Sequence, residues 1–172
     1  SKTKDILDDY FMAYSNEKSS RNICEFSDLR KYALDLLLDN NGSPTLIAIE
    51  EQKKYSHIFV DEYQDTDAIQ DLVFRTISNG SNLFFVGDIK QSIYSFRGAE
   101  PSVFSAYRKD YLPADGRADI PSIPLSVFMS ENFRCSPNII SFTNAVCSYL
   151  FRETDGNGHG IGYVAEDDLI AS

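Results

Sequence analysis

The stretch His57-Ile58-Phe59-Val60-Asp61-Glu62-Tyr63-Gln64-Asp65-Thr66-Asp67, HIFVDEYQDTD, changes character after Val60. A short apolar run meets four acids and a glutamine within seven residues. The apolar run predicts a core strand, and the acids then stand at its carboxyl end, the edge at which open parallel sheets bind ligands. Successive side chains on a strand point in opposite directions, so one of two adjacent acids can hold a metal ion while the other reaches a water. The plainer alternative is that these acids only terminate a strand and cap the next helix.

The neighbouring sequence supports an α/β layer on either reading. Asp65-Thr66-Asp67 can cap a helix, AIQDLVFRTIS, in which Ile69, Leu72, Val73 and Ile77 share a face. NLFFVGD follows, an apolar run ending in Gly-Asp that suits a strand buried on both faces. Two strands with a helix between them make a βαβ unit and a parallel sheet. A further helix is predicted from Pro101 to about Tyr111, and PADGRADIPSIP reads as a loop.

Upstream, to about Lys54, the chain reads as helical. FSDLRKYALDLLLDN places Phe26, Leu29, Ala33, Leu36 and Leu37 on one face, with Ser27 as N-cap and an end near Asn40-Asn41-Gly42. IAIEEQKKY fits helix or loop. Downstream, LSVFM reads as a strand, ENFR as a turn, and Ser136-Pro137 opens a helix to about Arg152. DGNGHG breaks the chain, and GYVAEDDLIAS reads as one strand and the start of a helix.

Composition bounds the function. With 172 residues, 42% hydrophobic and 13% aromatic, the chain can bury a core and form one domain or pieces of two. No run of about 18 apolar residues is present to span a bilayer, the first residues lack a signal peptide's apolar centre, and a cytoplasmic location is expected. Cys24, Cys135 and Cys147 are widely spaced, and His57 and His159 have no cysteine at ligand spacing, so neither a disulfide framework nor a zinc site is indicated. A net charge of -10 argues against gripping nucleic acid by bulk electrostatics, so any DNA contact must be local. The sequence has neither solenoid-spaced repeats nor low-complexity tracts.

Two further signals carry chemistry. VGDIKQSIYSFRGAEPSVF, Val86 to Phe104, puts Lys90, Gln91, Tyr94, Phe96 and Arg97 just after an apolar strand. That mixture suits stacking on single-stranded bases beside a phosphate, and equally a turn with Ile93 and Phe96 packed in the core. ENFRCSP, Glu131 to Pro137, offers Arg134 between a strand and a helix, where an arginine by itself would most simply pair with a surface acid.

The three strings occur together and in order. DEYQDT resembles the Walker B motif II of superfamily 1 DNA helicases of the UvrD/RecB/AddA kind, GDIKQSIYSFRGA resembles their motif III, and ENFR with Ser-Pro resembles motif IV. Lys90 before the glutamine and Phe96 before Arg97 are more similar to the AddA and RecB branch, as is the upstream FSDLRKYALDLL. The resemblance runs from Phe26 to about Tyr163. It implies an α/β fold, a partial RecA-like P-loop NTPase parallel sheet with flanking helices, preceded by a helical segment. Residues 1–54 would end a helical insertion, residues 55–125 would form the later half of the first RecA-like domain, and residues 126–172 would begin the second.

The resemblance also implies roles. Asp61 matches the carboxylate that holds Mg²⁺, mostly through water, and Glu62 the residue that orients and deprotonates the attacking water. Gln91 matches the glutamine that senses the ATP γ-phosphate. Arg134 matches an arginine finger, a role generally associated with about 10³ to 10⁵ in rate, and Phe133 stands where an aromatic lies beside adenine. Tyr94, Phe96 and Arg97 match the segment that contacts single-stranded DNA. The implied partners are single- or double-stranded DNA and a second helicase-nuclease subunit. The phosphate loop G-x-x-x-x-G-K-[ST] is absent from the sequence, as are motifs V and VI, which makes truncation the expectation and the chain alone inactive. Two other readings stand beside this one. They are a naturally short, catalytically dead helicase-like binding module, and an unrelated Mg²⁺-dependent nuclease using Asp61, Glu62 and Asp65, which would need acids on several elements around two metals.

Overall fold

The computed structural model describes residues 2–114, 124–151 and 163–172. Three helices come first, α1 (Lys2–Ser20), α2 (Phe26–Leu37) and α3 (Leu46–Lys54). Helix α1 buries no residue, and its ties to α2 are polar: Lys18 pairs with Asp28 at 2.7 Å and Glu25 at 3.1 Å, and the Tyr14 hydroxyl donates to Glu25 at 2.8 Å. Such exposed pairs contribute little each.

Helix α2 does not begin at a Ser27 cap. Glu25 occupies the N-cap in extended backbone, and the Asp28 carboxylate accepts its amide proton at 2.9 Å, so a carboxylate reaching backward replaces the serine. The helix ends at Leu37, earlier than expected, because Asp39 accepts the amides of Asn41 and Ser43, each at 2.8 Å, and Gly42 takes a left-handed φ of 76°. Of the predicted apolar face only Leu37 is buried, while Phe26, Leu29 and Leu36 are exposed. The segment that fitted helix or loop is the helix α3, capped by the Thr45 hydroxyl.

Strands β1 (Ile58–Val60) and β2 (Leu83–Phe85) pair in parallel, with Ile58 opposite Leu83 and Val60 opposite Phe85, and α4 (Ala68–Ile77) crosses between them. Asp67 caps α4 by accepting from Gln70 at 2.8 Å, while Gln70 returns a bond to the Asp67 amide. The expectation that β2 is buried on both faces does not hold. Phe59 is 71% exposed and Phe84 54%, their rings meeting edge to face at 5.6 Å. Parallel strands need helices on both sides, and the described helices cover the opposite face, where Phe85 stacks on Tyr63 at 3.9 Å and meets Tyr107 at 5.1 Å.

Helix α5 (Pro101–Asp110) starts on proline, as its sequence requires, and leads into β3 (Leu112–Pro113). Strand β3 pairs in parallel with β4 (Leu125–Ser126), which is all of LSVFM that becomes a strand. The string ENFR begins with another strand, β5 (Glu131–Asn132), and turns only from Phe133. After α6 (Pro137–Phe151), the last segment reverses the predicted order, with a 3₁₀ turn at Ala165–Asp167 preceding β6 (Ile170–Ala171), which pairs in parallel with β5. Asn144 of α6 fixes this segment by bonding the carbonyl and amide of Leu169 at 2.8 and 3.0 Å. The architecture is therefore mixed helix and strand, with three small parallel sheets and not one continuous sheet among the described residues. Most of PADGRADIPSIP, all of DGNGHG, and Arg152 lie outside the described residues.

Candidate functional site at the carboxyl edge of the first strand pair

The parallel ladder continues past the strands. The Val86 amide donates to the Val60 carbonyl and the Tyr63 amide to the Val86 carbonyl, both at 2.9 Å, which holds the acidic string against the Gly87-Asp88 turn. Glu62 sits at φ 53°, ψ 40°, a left-handed conformation uncommon for a residue with a side chain. This kink sends Tyr63 and Gln64 into the core and leaves Asp61 and Glu62 both exposed at the sheet's carboxyl edge. Asp61 Oδ1 accepts the Glu62 amide at 2.8 Å, and Glu62 Oε2 accepts the Gln64 side-chain amide at 2.6 Å.

Tyr63 anchors the kink. Its hydroxyl donates to Asp71 Oδ1 at 2.5 Å, the Tyr107 hydroxyl donates to the same oxygen at 2.6 Å, and Arg75 pairs with Oδ2 at 2.8 Å. Burial, and then the adjacent carboxylate, push both tyrosine pKa values up, so the hydroxyls remain donors.

Gln64, 1% exposed, joins the two loops. Its Oε1 accepts the Asp88 amide at 2.9 Å while its Nε2 holds Glu62, and a β-carbon at Gly87 would stand 2.6 Å from that Oε1. The Asp88 carboxylate then organises the following turn. Its Oδ1 accepts from the Lys90 amide and ammonium, both at 3.0 Å, and its Oδ2 accepts the Gln91 side-chain amide at 3.0 Å. Burial pushes the Asp88 carboxyl pKa up, but the Gln91 amide and Lys90 outweigh it and hold the group below its ordinary value. Neither Gln64 nor Asp88 stood out as a site residue in the sequence. The available signal was a neutral amide inside an acidic run, the one side-chain type there able to join a carboxylate to a backbone N–H.

Ile89 is buried, whereas Ile93 and Phe96 are exposed, Phe96 by 77%, so the packed-core arrangement weighed for them is not what the chain adopts. The Arg97 guanidinium lies 5.2 Å from the Tyr94 ring centre and 5.5 Å from that of Phe96. Tyr94 and Arg97 also line a cleft of about 820 Å³ whose other wall is Phe26, Leu29 and Arg30 of α2. Asp65 lines it too, and its Oδ1 is buried without a hydrogen-bond partner among the described residues.

Phe133 and Arg134 project from the turn after β5, both exposed, where Asn132 Oδ1 accepts the Arg134 and Cys135 amides at 2.9 Å. The Arg134 guanidinium makes no bond to Asp61, Glu62 or Gln91 in this structure. Among the described arginines, Arg21, Arg30, Arg75 and Arg108 pair with Glu17, Asp67, Asp71 and Asp167. Arg97 and Arg134 alone among them have no carboxylate partner.

No group of three His, Cys, Asp or Glu side chains among the described residues is placed to cage a metal. Asp61, exposed and with one carboxylate oxygen uncommitted, suits a hydrated Mg²⁺ bound through one carboxylate and water. The three cysteines are free thiols, and no described helix is long and apolar enough to cross a membrane.

These features describe an α/β protein with exposed acids at the carboxyl edge of a parallel strand pair and an arginine-aromatic cluster on the adjoining loop. Residues 1–112 match the UvrD/REP helicase N-terminal domain family. The chain is 37% identical over 158 residues to the ATP-dependent helicase/nuclease subunit AddA of Staphylococcus carnosus (strain TM300), covering 90% of this chain and 12% of that protein. It is likewise 37% identical over 156 residues to the protein of the same name in Staphylococcus aureus (strain MRSA252), covering 88% and 12%. The chain belongs to the UvrD/REP helicase family. It spans 12% of the length of these relatives.

Proposed function

We propose that this chain is part of the motor of an ATP-dependent DNA helicase of the helicase-nuclease type, acting in DNA recombination and repair. Residues 1–54 end a helical insertion, 55–125 form the later half of a first RecA-like domain and 126–172 begin a second. The observation that carries the reading is the placement of Asp61 and Glu62, both exposed at the carboxyl end of β1 and tied through Gln64 to the Asp88–Gln91 turn. Bound magnesium ATP supplies the phosphoanhydride whose hydrolysis drives the motor. Asp61 holds the cation through its free oxygen and water, and Glu62 orients and deprotonates the attacking water. Gln91 faces the γ-phosphate from a turn fixed by Asp88, Arg134 reaches it from the second domain, and Phe133 flanks the base. Tyr94, Phe96 and Arg97 stack on single-stranded bases beside the backbone phosphate. A second helicase-nuclease subunit is the protein partner, and the cytoplasm the compartment.

The test is Glu62→Gln in the longer polypeptide that carries this segment. Removing the base while keeping its shape should lower the DNA-stimulated ATPase kcat by about 10² to 10⁴ with ATP affinity retained. Unchanged turnover would remove Glu62 from the chemistry and the reading with it.

A further inference from the structure

Lys90 occupies a position that the roles above leave unused. Its ammonium, on a side chain only 16% exposed, lies 3.0 Å from Asp88 Oδ1 and 3.9 Å from Asp167 Oδ1, with the Tyr163 ring centre 5.6 Å away. Asp88 and Lys90 belong to the loop after β2, whereas Tyr163 and Asp167 come from the segment after α6. The other oxygen of Asp88 holds the Gln91 amide at 3.0 Å. Asp167, 8% exposed, is fixed on its own side by two bonds from Arg108, at 2.9 and 2.5 Å, and by the Val164 amide at 2.9 Å. A continuous polar chain therefore runs from Gln91 through Asp88 and Lys90 to Asp167 and Arg108.

We infer that Lys90 is a positioning residue that couples the glutamine Gln91 to the segment Ala165–Asp167, so that the placement of the second domain sets the orientation of Gln91. The inference rests on the ATPase reading above. Arg108 alone suffices to pin Asp167, since it forms two short bonds, and the 3.9 Å leg from Lys90 adds little to that anchoring. What Lys90 adds is a cation shared unequally between two carboxylates that belong to different parts of the chain. Movement of Asp167 toward the loop draws the ammonium away from Asp88, and its retreat returns the ammonium fully. Asp88 is the only group holding the Gln91 side chain among the described residues, so a change in its charge environment is felt there. Lys90 needs no contact with nucleotide to act in this way. A neutral side chain of similar length keeps the packing and removes the coupling.

The experiment uses the longer polypeptide, with ATPase rate measured against ATP at saturating single-stranded oligonucleotide, and thermal melting of each variant. Lys90→Met should lower kcat about tenfold with KM for ATP unchanged, and Lys90→Arg should restore most of it. Asp167→Asn should act in the same direction, and the double variant should be no slower than Lys90→Met alone, because both break one chain. Multiplicative effects in the double variant, an arginine as damaging as methionine, or losses that track melting temperature would each overturn the inference. If the parent polypeptide itself shows no DNA-stimulated hydrolysis, the ATPase reading fails instead.

Discussion

Replacing Gly87 by alanine tests whether the two loops of the edge are as closely fitted as the geometry says. Gly87 is not held in a left-handed conformation, so the cost is steric and not a backbone one. The new β-carbon would lie 2.6 Å from Gln64 Oε1, 3.0 Å from Phe104 Cε1 and 3.1 Å from the Tyr63 amide nitrogen. Two of these obstacles give poorly, one being backbone and the other a core ring. Relief must come mainly from Gln64, whose Oε1 accepts from Asp88 and whose Nε2 donates to Glu62. Swinging that side chain leaves a donor unpaired, which costs about 1 to 3 kcal/mol, and residual overpacking adds a comparable amount, so we expect a loss of about 2 to 4 kcal/mol. Urea unfolding followed by tyrosine fluorescence reads this directly, since the chain has ten tyrosines and no tryptophan. In the Gly87→Ala/Gln64→Ala double variant the clash with Oε1 is gone, and its loss should fall at least about 1 kcal/mol short of the sum of the singles. A Gly87→Ala loss below about 0.5 kcal/mol, or strict additivity, would refute the close-packed account of this junction.

Phe96→Ala should leave stability within about 0.5 kcal/mol, because the ring is exposed, yet should cost about 1 to 3 kcal/mol of single-strand interaction in the longer polypeptide. Fluorescence anisotropy at a fixed salt concentration measures the second quantity, and an unfolded variant with unaltered DNA affinity would restore the packing explanation. The 172-residue chain alone, which lacks a phosphate loop in its sequence, should show no ATP hydrolysis and at most weak binding in calorimetric titration with magnesium ATP. Low-micromolar binding with turnover abolished by Glu62→Gln would overturn that expectation.

The local grammar of the fold was legible because it depends on neighbours in sequence. Asp67 caps α4, Pro101 starts α5, and β1 and β2 pair in parallel across α4, all from short-range signals. Burial was not legible to the same degree. Periodicity marks Phe26, Leu29 and Leu36 as one face and Phe59 and Phe84 as strand interior, but whether a face is covered depends on what packs there, and these side chains are exposed. The end of α2 was misplaced because Asp39, not glycine alone, redirects the backbone. At the site, the acid pair and the arginine-aromatic cluster were visible as residue types in a string. The joining role of Gln64 was hidden, because it comes from a left-handed Glu62 that turns the glutamine inward, and no residue type at position 62 announces that conformation.

An acidic chain that belongs to a helicase family poses a problem of charge, and the pairing pattern addresses it. Much of the described charge is committed to structure. Asp67 caps α4 while binding Arg30, Asp71 receives two hydroxyls and Arg75, Asp88 organises its turn, and Asp167 holds Arg108. Acids that satisfy internal donors and cations in this way contribute to net charge without forming an exposed repulsive patch. Outside those commitments stand Asp61 and Glu62 at the sheet edge, and Arg97 and Arg134 without carboxylate partners among the described residues. Both signs of uncommitted charge thus fall in the strings where a nucleotide-driven motor would use them, the acids toward cation and water, the arginines toward phosphate. A net charge of -10 therefore says little against contact with DNA at one exposed cluster, while it still denies the chain the many phosphate neutralisations on which tight non-specific binding depends.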